Sequence, residues 1–329
     1  MSSQASRSSI FDGQSVLVTG GTGSFGRKFV HILIRETQAS RVIVFSRDEF
    51  KQSQMEQAYE ENERLRFFIG DVRDRQRLYR AFDGVGVVIH AAALKRIPAA
   101  EYNPFEFVKT NILGVQNIID AAIDRGVRRV VALSTDKASS PVNLYGATKL
   151  VSDKLFVAGN AYAGSKVTRF AVVRYGNVLG SRGSVIPLLR KLGPNEVFPL
   201  TDSRMTRFWI TLDHGVRFVM RVVEEMVGGE VFVPKIPSMK LADLVRALAP
   251  EAKIETVGVR PGEKLHEEMI SVSDARRTLE RDDHYVICPE IWWSGQERPE
   301  GKPVPEDFRY SSDQNDDWLD QDRLTTLLD

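Results

Sequence analysis

Tyr145 and Lys149 stand four residues apart in Tyr145-Gly146-Ala147-Thr148-Lys149. On a helix this spacing puts both on one face, with Cβ atoms about 5–6 Å apart. A neighbouring ammonium favours phenolate and lowers a tyrosine pKa. Such a phenolate can take a hydroxyl proton while hydride leaves the same carbon. Just upstream, Ser134-Thr135-Asp136-Lys137 sets an acid and a base side by side where an apolar run ends. Adjacent residues seldom share a face, so the two need not pair. The residues alone leave two readings open: a capping acid beside a solvated lysine, or two more proton-handling groups in one pocket. Asp136 is suited to give a proton if burial raises its pKa. Lys137 is suited to take one if burial or nearby cations lower its pKa. A second tyrosine–lysine pair, Tyr162 and Lys166, spans Gly164-Ser165 with no acid or hydroxyl cluster upstream. It is assigned to a surface loop.

A cofactor is written into the start of the chain. Thr19-Gly20-Gly21-Thr22-Gly23-Ser24-Phe25-Gly26 follows an apolar run and opens a helical pattern, with Gly20, Gly23 and Gly26 spaced G-x-x-G-x-x-G. Glycines there let backbone N–H groups reach a pyrophosphate at the helix N-terminus. The end of the second strand selects the cofactor. NAD enzymes usually place an acid there, about 20 residues past the glycines, on the ribose 2′-hydroxyl. This chain reads Ser46-Arg47-Asp48-Glu49-Phe50-Lys51. A hydroxyl and the cations of Arg47 and Lys51 suit a 2′-phosphate and favour NADP. Asp48 keeps NAD open, since a shift of one residue would put it on the ribose. Asp71 and Val72 would flank the adenine.

Short runs rich in β-branched residues position these groups: Ser15–Thr19, Arg41–Ser46, Leu65–Gly70, Val85–His90, Val130–Ser134 and Thr168–Arg174. They are apolar on both faces, as buried parallel strands are. Amphipathic stretches separate them: Phe25–Arg35, Glu49–Glu61, Asp74–Phe82, Pro104–Arg125 and Tyr145–Gly159. The alternation predicts an α/β fold with a doubly wound parallel sheet. Tyr145 and Thr135 then fall on its carboxyl edge, where such sheets bind ligands. Residues 1–12 read as a flexible tail and 13–178 as the dinucleotide-binding domain, with return elements from about 208–235. Residues 179–207 and 236–329 read as a smaller substrate-binding part and a C-terminal tail. Helices are expected over Asp213–Met226 and Lys240–Leu248. The acidic end, with Phe308, Tyr310, Trp318 and Leu319, is expected to dock back on the body.

Bulk properties narrow the partners. The 329 residues are 42% hydrophobic and 27% charged, with a net charge of +1. No field recruits nucleic acid or membrane. No apolar stretch approaches the roughly 20 residues that span a bilayer. The single Cys288 fits a reducing cytoplasm. The five histidines, at 31, 90, 214, 266 and 284, lack metal-ligand spacing, so no metal is expected.

The segments TGGTGSFG, HAAALK, STDK, YGATK and RYGNVLGSRGS together resemble the extended short-chain dehydrogenase/reductase family. FFIGDVRD, IHAAALKRIPAAEYNP, MTRFWI, FVPKIPSMK and RPGEKLHE are similar to its inverting nucleotide-sugar 4,6-dehydratases, which act on UDP-N-acetylglucosamine. The resemblance covers nearly all of residues 13–320. Arg96, where histidine is expected, and Ala138-Ser139-Ser140-Pro141-Val142 depart from it. The resemblance implies a Rossmann-like fold and a cofactor lined by Thr22, Ser24, Phe25, Ala91, Ala93 and Val178, besides the residues above. It implies hydride transfer from sugar C4 with Tyr145 as base and Thr135 on the C4 oxygen. Lys137 then works at C5, Asp136 at the C6 hydroxyl, and hydride returns to C6. Retaining relatives carry glutamate at the position of Lys137, so the lysine implies inversion at C5. Lys95, Asn177, Arg182, Arg207, Arg260 and Glu263 are candidates to hold substrate, the arginines as phosphate clamps. A homo-oligomer, dimer or hexamer, and a role in bacterial pseudaminic acid biosynthesis and flagellin glycosylation are also implied. Two alternatives stay open: a UDP-sugar 4-epimerase, which needs no acid/base pair beyond tyrosine and lysine, and a non-catalytic NADP-binding scaffold.

Overall fold

Six of the β-branched runs form strands of one sheet, all largely buried except β3, which lies at the sheet edge and is partly exposed: β1 (Ser15–Thr19), β2 (Arg41–Ser46), β3 (Leu65–Ile69), β4 (Val87–His90), β5 (Arg129–Leu133) and β6 (Arg169–Val173). They pair in parallel in the order β3-β2-β1-β4-β5-β6. The chain therefore winds outward in one direction from β1 and in the other from β4. A crevice opens where the winding reverses, at the carboxyl ends of those strands. Val231–Pro234 adds to β6 in parallel, and His284–Ile287, Thr278–Glu280 and Lys302–Pro303 complete a ten-stranded sheet with antiparallel pairing. The doubly wound α/β architecture is the one expected. The computed structural model describes residues 9–59, 62–181, 185–193, 196–292 and 297–328.

The last residues of the expected N-terminal tail pack against the body. Residues 1–8 lie outside the described residues, but Phe11 is fully buried and packs edge-on against Phe29, ring centroids 6.3 Å apart. Asp12 fixes the same turn, accepting from the Ser9 and Gln38 N–H groups at 2.9 and 2.8 Å. One buried phenyl, stabilising by about 1.5–3 kcal/mol, outweighs the polar composition around it.

The later part of the chain builds a second apolar cluster from Leu200, Trp209, Leu244 and Val245, joined by Leu319 and Leu324 from the C-terminal end. The end docks back as expected. Tyr310–Ser311 pairs with the strand Glu268–Ile270, and the Tyr310 hydroxyl donates to the Ile236 carbonyl at 3.0 Å. Among the described residues no helix is long and apolar enough to cross a membrane.

Candidate active site

The glycine loop leads from β1 into helix α1 (Ser24–Glu36). Gly20 has φ +65°, and a Cβ there would lie 2.9 Å from the Ala92 nitrogen. At Gly26 a Cβ would lie 2.5 Å from the Gly21 Cα. The loop can close against the end of β4 only without side chains. The N-cap, Gly23, supplies no side-chain cap, and the first turn holds no acid. Donor-rich backbone at the positive end of a 13-residue helix fits a dinucleotide pyrophosphate. The Thr22 and Ser46 hydroxyls hydrogen-bond at 2.8 Å, linking this loop to the end of β2. There Asp48 caps the next helix, accepting from the Lys51 N–H at 3.0 Å and pairing with the Lys51 ammonium. Arg47 is exposed and reaches Asp71 at 3.4 Å. Ala91 and Ala93 follow β4, and Val72 is buried against Gly114.

β5 ends at Leu133, and the chain turns through a single 3-10 turn, Asp136–Ala138. The helix Leu144–Ala163 begins directly after it, capped by the Asn143 side chain, which accepts from the Gly146 N–H at 2.8 Å. Gly146 makes the approach possible, since any Cβ there would collide with the Lys137 carbonyl oxygen. This contact brings Tyr145 alongside Thr135, Asp136 and Lys137. Tyr145 is buried beside Ala100 and Phe107.

Lys137 is the centre of the cluster. Its ammonium lies 3.0 Å from Asp136 Oδ1 and 3.1 Å from Glu267 Oε1. Both carboxylates are almost wholly buried. Thr135 donates to Asp136 Oδ1 at 2.8 Å. Burial, with the facing Glu267 charge, pushes Asp136 up against the pull of Lys137, as its proposed donor role needs. Lys137 moves opposite to expectation. Burial pulls its pKa down, but Asp136 and Glu267 together outweigh that and raise it, so it rests as an ammonium. Glu267 is pulled below the usual carboxylate range: burial raises it, and Lys137 and Arg207 lower it further.

Tyr145 also departs from expectation. Burial pushes its phenol up to about 12, against the pull of Lys137 and the Thr135 hydroxyl. Lys149 does not reverse this. Its ammonium donates to the Leu133 carbonyl at 2.8 Å, and burial lowers its own pKa. The second tyrosine–lysine pair is peripheral. Tyr162 is exposed on the last turn of the same helix rather than in a loop, and Lys166 pairs with Asp124 at 3.3 Å.

Among the substrate candidates, Arg182 lies outside the described residues. Arg207 is buried and donates to the Thr206, Leu265 and Lys264 carbonyls at 2.7, 3.0 and 3.0 Å, which holds the segment carrying Glu267. Glu263 and the exposed Arg260 share the turn around Gly262. That turn is tied to the site, since Asn143 donates to the Gly262 carbonyl at 2.8 Å and Lys264 to the Ser139 carbonyl at 2.7 Å. Asn177 lies on the short strand Asn177–Val178 beside Trp209. Lys95 is exposed after β4.

Two residues were missed in the sequence. Glu267 sits in Leu265-His266-Glu267-Glu268, where one acid among several charges gives no sign of burial. Asn111 lies on a π-helical turn, Lys109–Leu113, within the stretch read as one regular helix. Its amide exchanges hydrogen bonds with Leu94 at 3.0 and 2.9 Å and reaches Thr148 at 3.1 Å. It couples the segment after β4 to the tyrosine helix. A polar side chain inside an apolar helical pattern was the available signal.

The polysaccharide biosynthesis protein family model matches residues 16–289. The chain is 52% identical over 97% of its length, and 98% of the relative's, to a UDP-N-acetylglucosamine 4,6-dehydratase (inverting) from Campylobacter jejuni. The crystal structure of Pen from Bacillus thuringiensis is similar at a TM-score of 0.89 and 36% identity, covering 97% of this chain and 98% of that one. A dTDP-glucose 4,6-dehydratase from Streptomyces venezuelae with NAD and TYD bound has a TM-score of 0.69 at 27% identity, over 76% of this chain and 86% of that one. With the reversed sheet order, the glycine cradle and the tyrosine–lysine helix in place, the chain belongs to the polysaccharide biosynthesis protein family, within the extended short-chain dehydrogenase/reductases and beside the inverting 4,6-dehydratases.

Proposed function

We propose that this chain is an NADP-dependent hydro-lyase that dehydrates UDP-N-acetylglucosamine at C6 and inverts C5, giving UDP-2-acetamido-2,6-dideoxy-β-L-arabino-hex-4-ulose. The observation that carries this reading is the buried cluster of Asp136, Lys137 and Glu267 beside the Tyr145 phenol. Tyr145 takes the proton from the C4 hydroxyl, and Thr135 holds that oxygen. NADP supplies the hydride acceptor at C4 and the donor at C6 when bound. The 4-ketone acidifies the C5 hydrogen, which Lys137 removes. Asp136, whose pKa burial raises, protonates the C6 oxygen as it leaves as water. Reprotonation of C5 on the opposite face then gives the inverted sugar. Lys95, Asn177, Arg260 and Glu263 are the proposed contacts to the nucleotide and sugar.

A 4-epimerase would use Tyr145 and Lys149 but leave the carboxylate–lysine cluster without a task, and a scaffold would need none of it. Incubating the chain and NADP with UDP-N-acetylglucosamine is expected to give a product lighter by one water and carrying a 4-ketone. A product of unchanged mass would establish epimerisation, and no product would leave the scaffold.

The NADP preference rests on the end of β2. Asp48 is committed to its cap and to Lys51, while Ser46 and the exposed Arg47 stand at the same edge. A charge-assisted hydrogen bond contributes about 1.5–3 kcal/mol. Arg47→Ala is therefore expected to weaken NADP binding roughly 10- to 100-fold and leave NAD binding unchanged, as read by titration calorimetry. Self-association through the helices flanking the sheet is also part of the proposal, supported by the exposed side chains of Tyr102, Phe105 and Leu113.

A further inference from the structure

Among the described residues, Ser140 is the only non-glycine with a positive φ, +42°. A side chain with a Cβ disfavours this left-handed region. Pro141 adds to the cost, because a proline ring drives the residue before it toward extended backbone. Ser140 is exposed, so core packing of its own side chain does not hold it there. Its place in the chain gives the strain a consequence. The Asp136–Ala138 turn that carries Lys137 ends at Ser139, and the helix that carries Tyr145 begins at Leu144. Ser140 lies between the two, so its backbone angles bear on how Lys137 and Tyr145 face each other.

One carboxylate grips this turn. Glu268 Oε1 accepts from the Ser139 hydroxyl at 2.9 Å and from the Ser140 hydroxyl at 2.7 Å. Hydrogen bonds to an ionised oxygen are stronger than neutral ones. Glu268 is itself fixed. It lies on the strand Glu268–Ile270, opposite Ser311, and Arg309 Nε stands 3.9 Å from its Oε2. Two more ties join the same segments, from Lys264 to the Ser139 carbonyl at 2.7 Å and from Asn143 to the Gly262 carbonyl at 2.8 Å. They act before and after Ser140, whereas Glu268 holds Ser140 directly. Strain of this kind persists only where the surroundings over-determine it, and it gathers at functional sites.

We propose that Glu268 is a positioning residue of the dehydration, holding the Ser139–Ser140 turn in its strained form and so keeping Thr135, Asp136 and Lys137 set against the Tyr145 phenol; this rests on the reaction proposed above. In this role Glu268 exchanges no proton and acts through the backbone. Without it Ser140 relaxes toward negative φ, and the close contact of the Lys137 carbonyl with Gly146 at the start of the helix opens.

The test uses the full chain loaded with NADP and given UDP-N-acetylglucosamine. It reads cofactor reduction in a single turnover and 4-keto product at steady state. Glu268→Ala is expected to lower both rates about 10- to 100-fold, as a misplacement of about 1 Å does. UDP affinity by calorimetry should be retained, because Lys264 and Asn143 still tie the Gly262 turn. The decisive readout is a second substitution. Adding Ser140→Gly to Glu268→Ala removes the Cβ that disfavours the turn and should restore the rates about fivefold or more. The same glycine in the otherwise wild-type chain should bring no gain, since Glu268 already holds the turn. A carboxylate that merely stabilised the fold would give the opposite result, because glycine loosens a weakened loop further. If Glu268→Ala does not fold, Ser140→Ala and Ser140→Gly carry the test alone. Both lose the hydroxyl and only alanine keeps the strain, so the glycine chain should be the faster. A Glu268→Ala chain with wild-type rates, a glycine that fails to raise them in that background, or an alanine chain as fast as the glycine chain overturns the proposal. If the wild type itself forms no 4-keto product, the functional reading fails instead.

Discussion

Tyr145→Phe is expected to cut turnover about 10²–10⁴-fold while leaving the fold and cofactor binding in place. The ring sits among Ala100 and Phe107, and phenylalanine fills the same space. Loss of one hydroxyl should change stability by no more than about 1.5 kcal/mol, which a thermal melt reads directly. The diagnostic feature is where the reaction stops. Without the phenol no ketone forms at C4, so the variant should show neither reduced cofactor in a single turnover nor exchange of the C5 proton with solvent. The sign of the pH dependence follows from burial, which pushes the phenol up to about 12. The active base is then the minor form at neutrality, and the rate of C4 oxidation should climb as pH rises toward that value. A Tyr145→Phe chain that still reduces cofactor at the wild-type rate would remove the tyrosine from the mechanism.

The parts of this molecule that were legible in the sequence are those set by local rules. A buried parallel strand must be apolar on both faces, so β1 to β6 could be placed within a residue or two. A loop that closes against Ala91 and Ala92 must be glycine, so the cofactor cradle was legible as well. Thr135, Asp136, Lys137 and Tyr145 were legible because one strand end and one helix start carry them all. What failed was anything decided by contacts distant in sequence. Glu267 reaches Lys137 across 130 positions because Ser312 and Arg207 hold its segment in place, and no local pattern encodes that. The same contact helped reverse the expected shift of Lys137, since Asp136 together with this unseen carboxylate turned a lysine thought to lose its proton easily into a firmly held ammonium. The support Arg207 gives was equally illegible. Its residue type suits phosphate, and nothing local shows that it also ties three backbone carbonyls together. Phe11 was misread because a single aromatic in a serine-rich stretch reveals nothing of the pocket that receives it.

Lys137→Met separates the chemistry at C5 from the chemistry at C4. The substitution keeps an unbranched side chain and removes the ammonium. C4 oxidation should survive, because the phenol remains. C5 exchange and loss of water should fall about 10²–10⁴-fold, so reduced cofactor should accumulate in a single turnover instead of being reoxidised. The cost in stability is the other half of the prediction. Asp136 and Glu267 each have one oxygen with no hydrogen-bond partner among the described residues, and both lean on Lys137 for charge. Removing one partner from a buried ion cluster destabilises by about 3–5 kcal/mol. In the wild type Glu267 is held below its ordinary pKa, so its contribution is present above that value and lost as pH falls through the folded one. The methionine variant moves the other way. Without Lys137 the Asp136 carboxyl rises further, and Glu267, left with Arg207 and Lys264, rises from its lowered value, so the folded state binds more protons than the wild type does. The variant should be least impaired in mild acid and lose stability progressively as pH rises from about 4 to 7. Denaturant melts of both proteins at pH 5 and pH 8 would reveal the crossing trends. A variant whose deficit was the same at both values would mean that the two carboxylates do not depend on Lys137, and the cluster could not then work as one proton-handling unit.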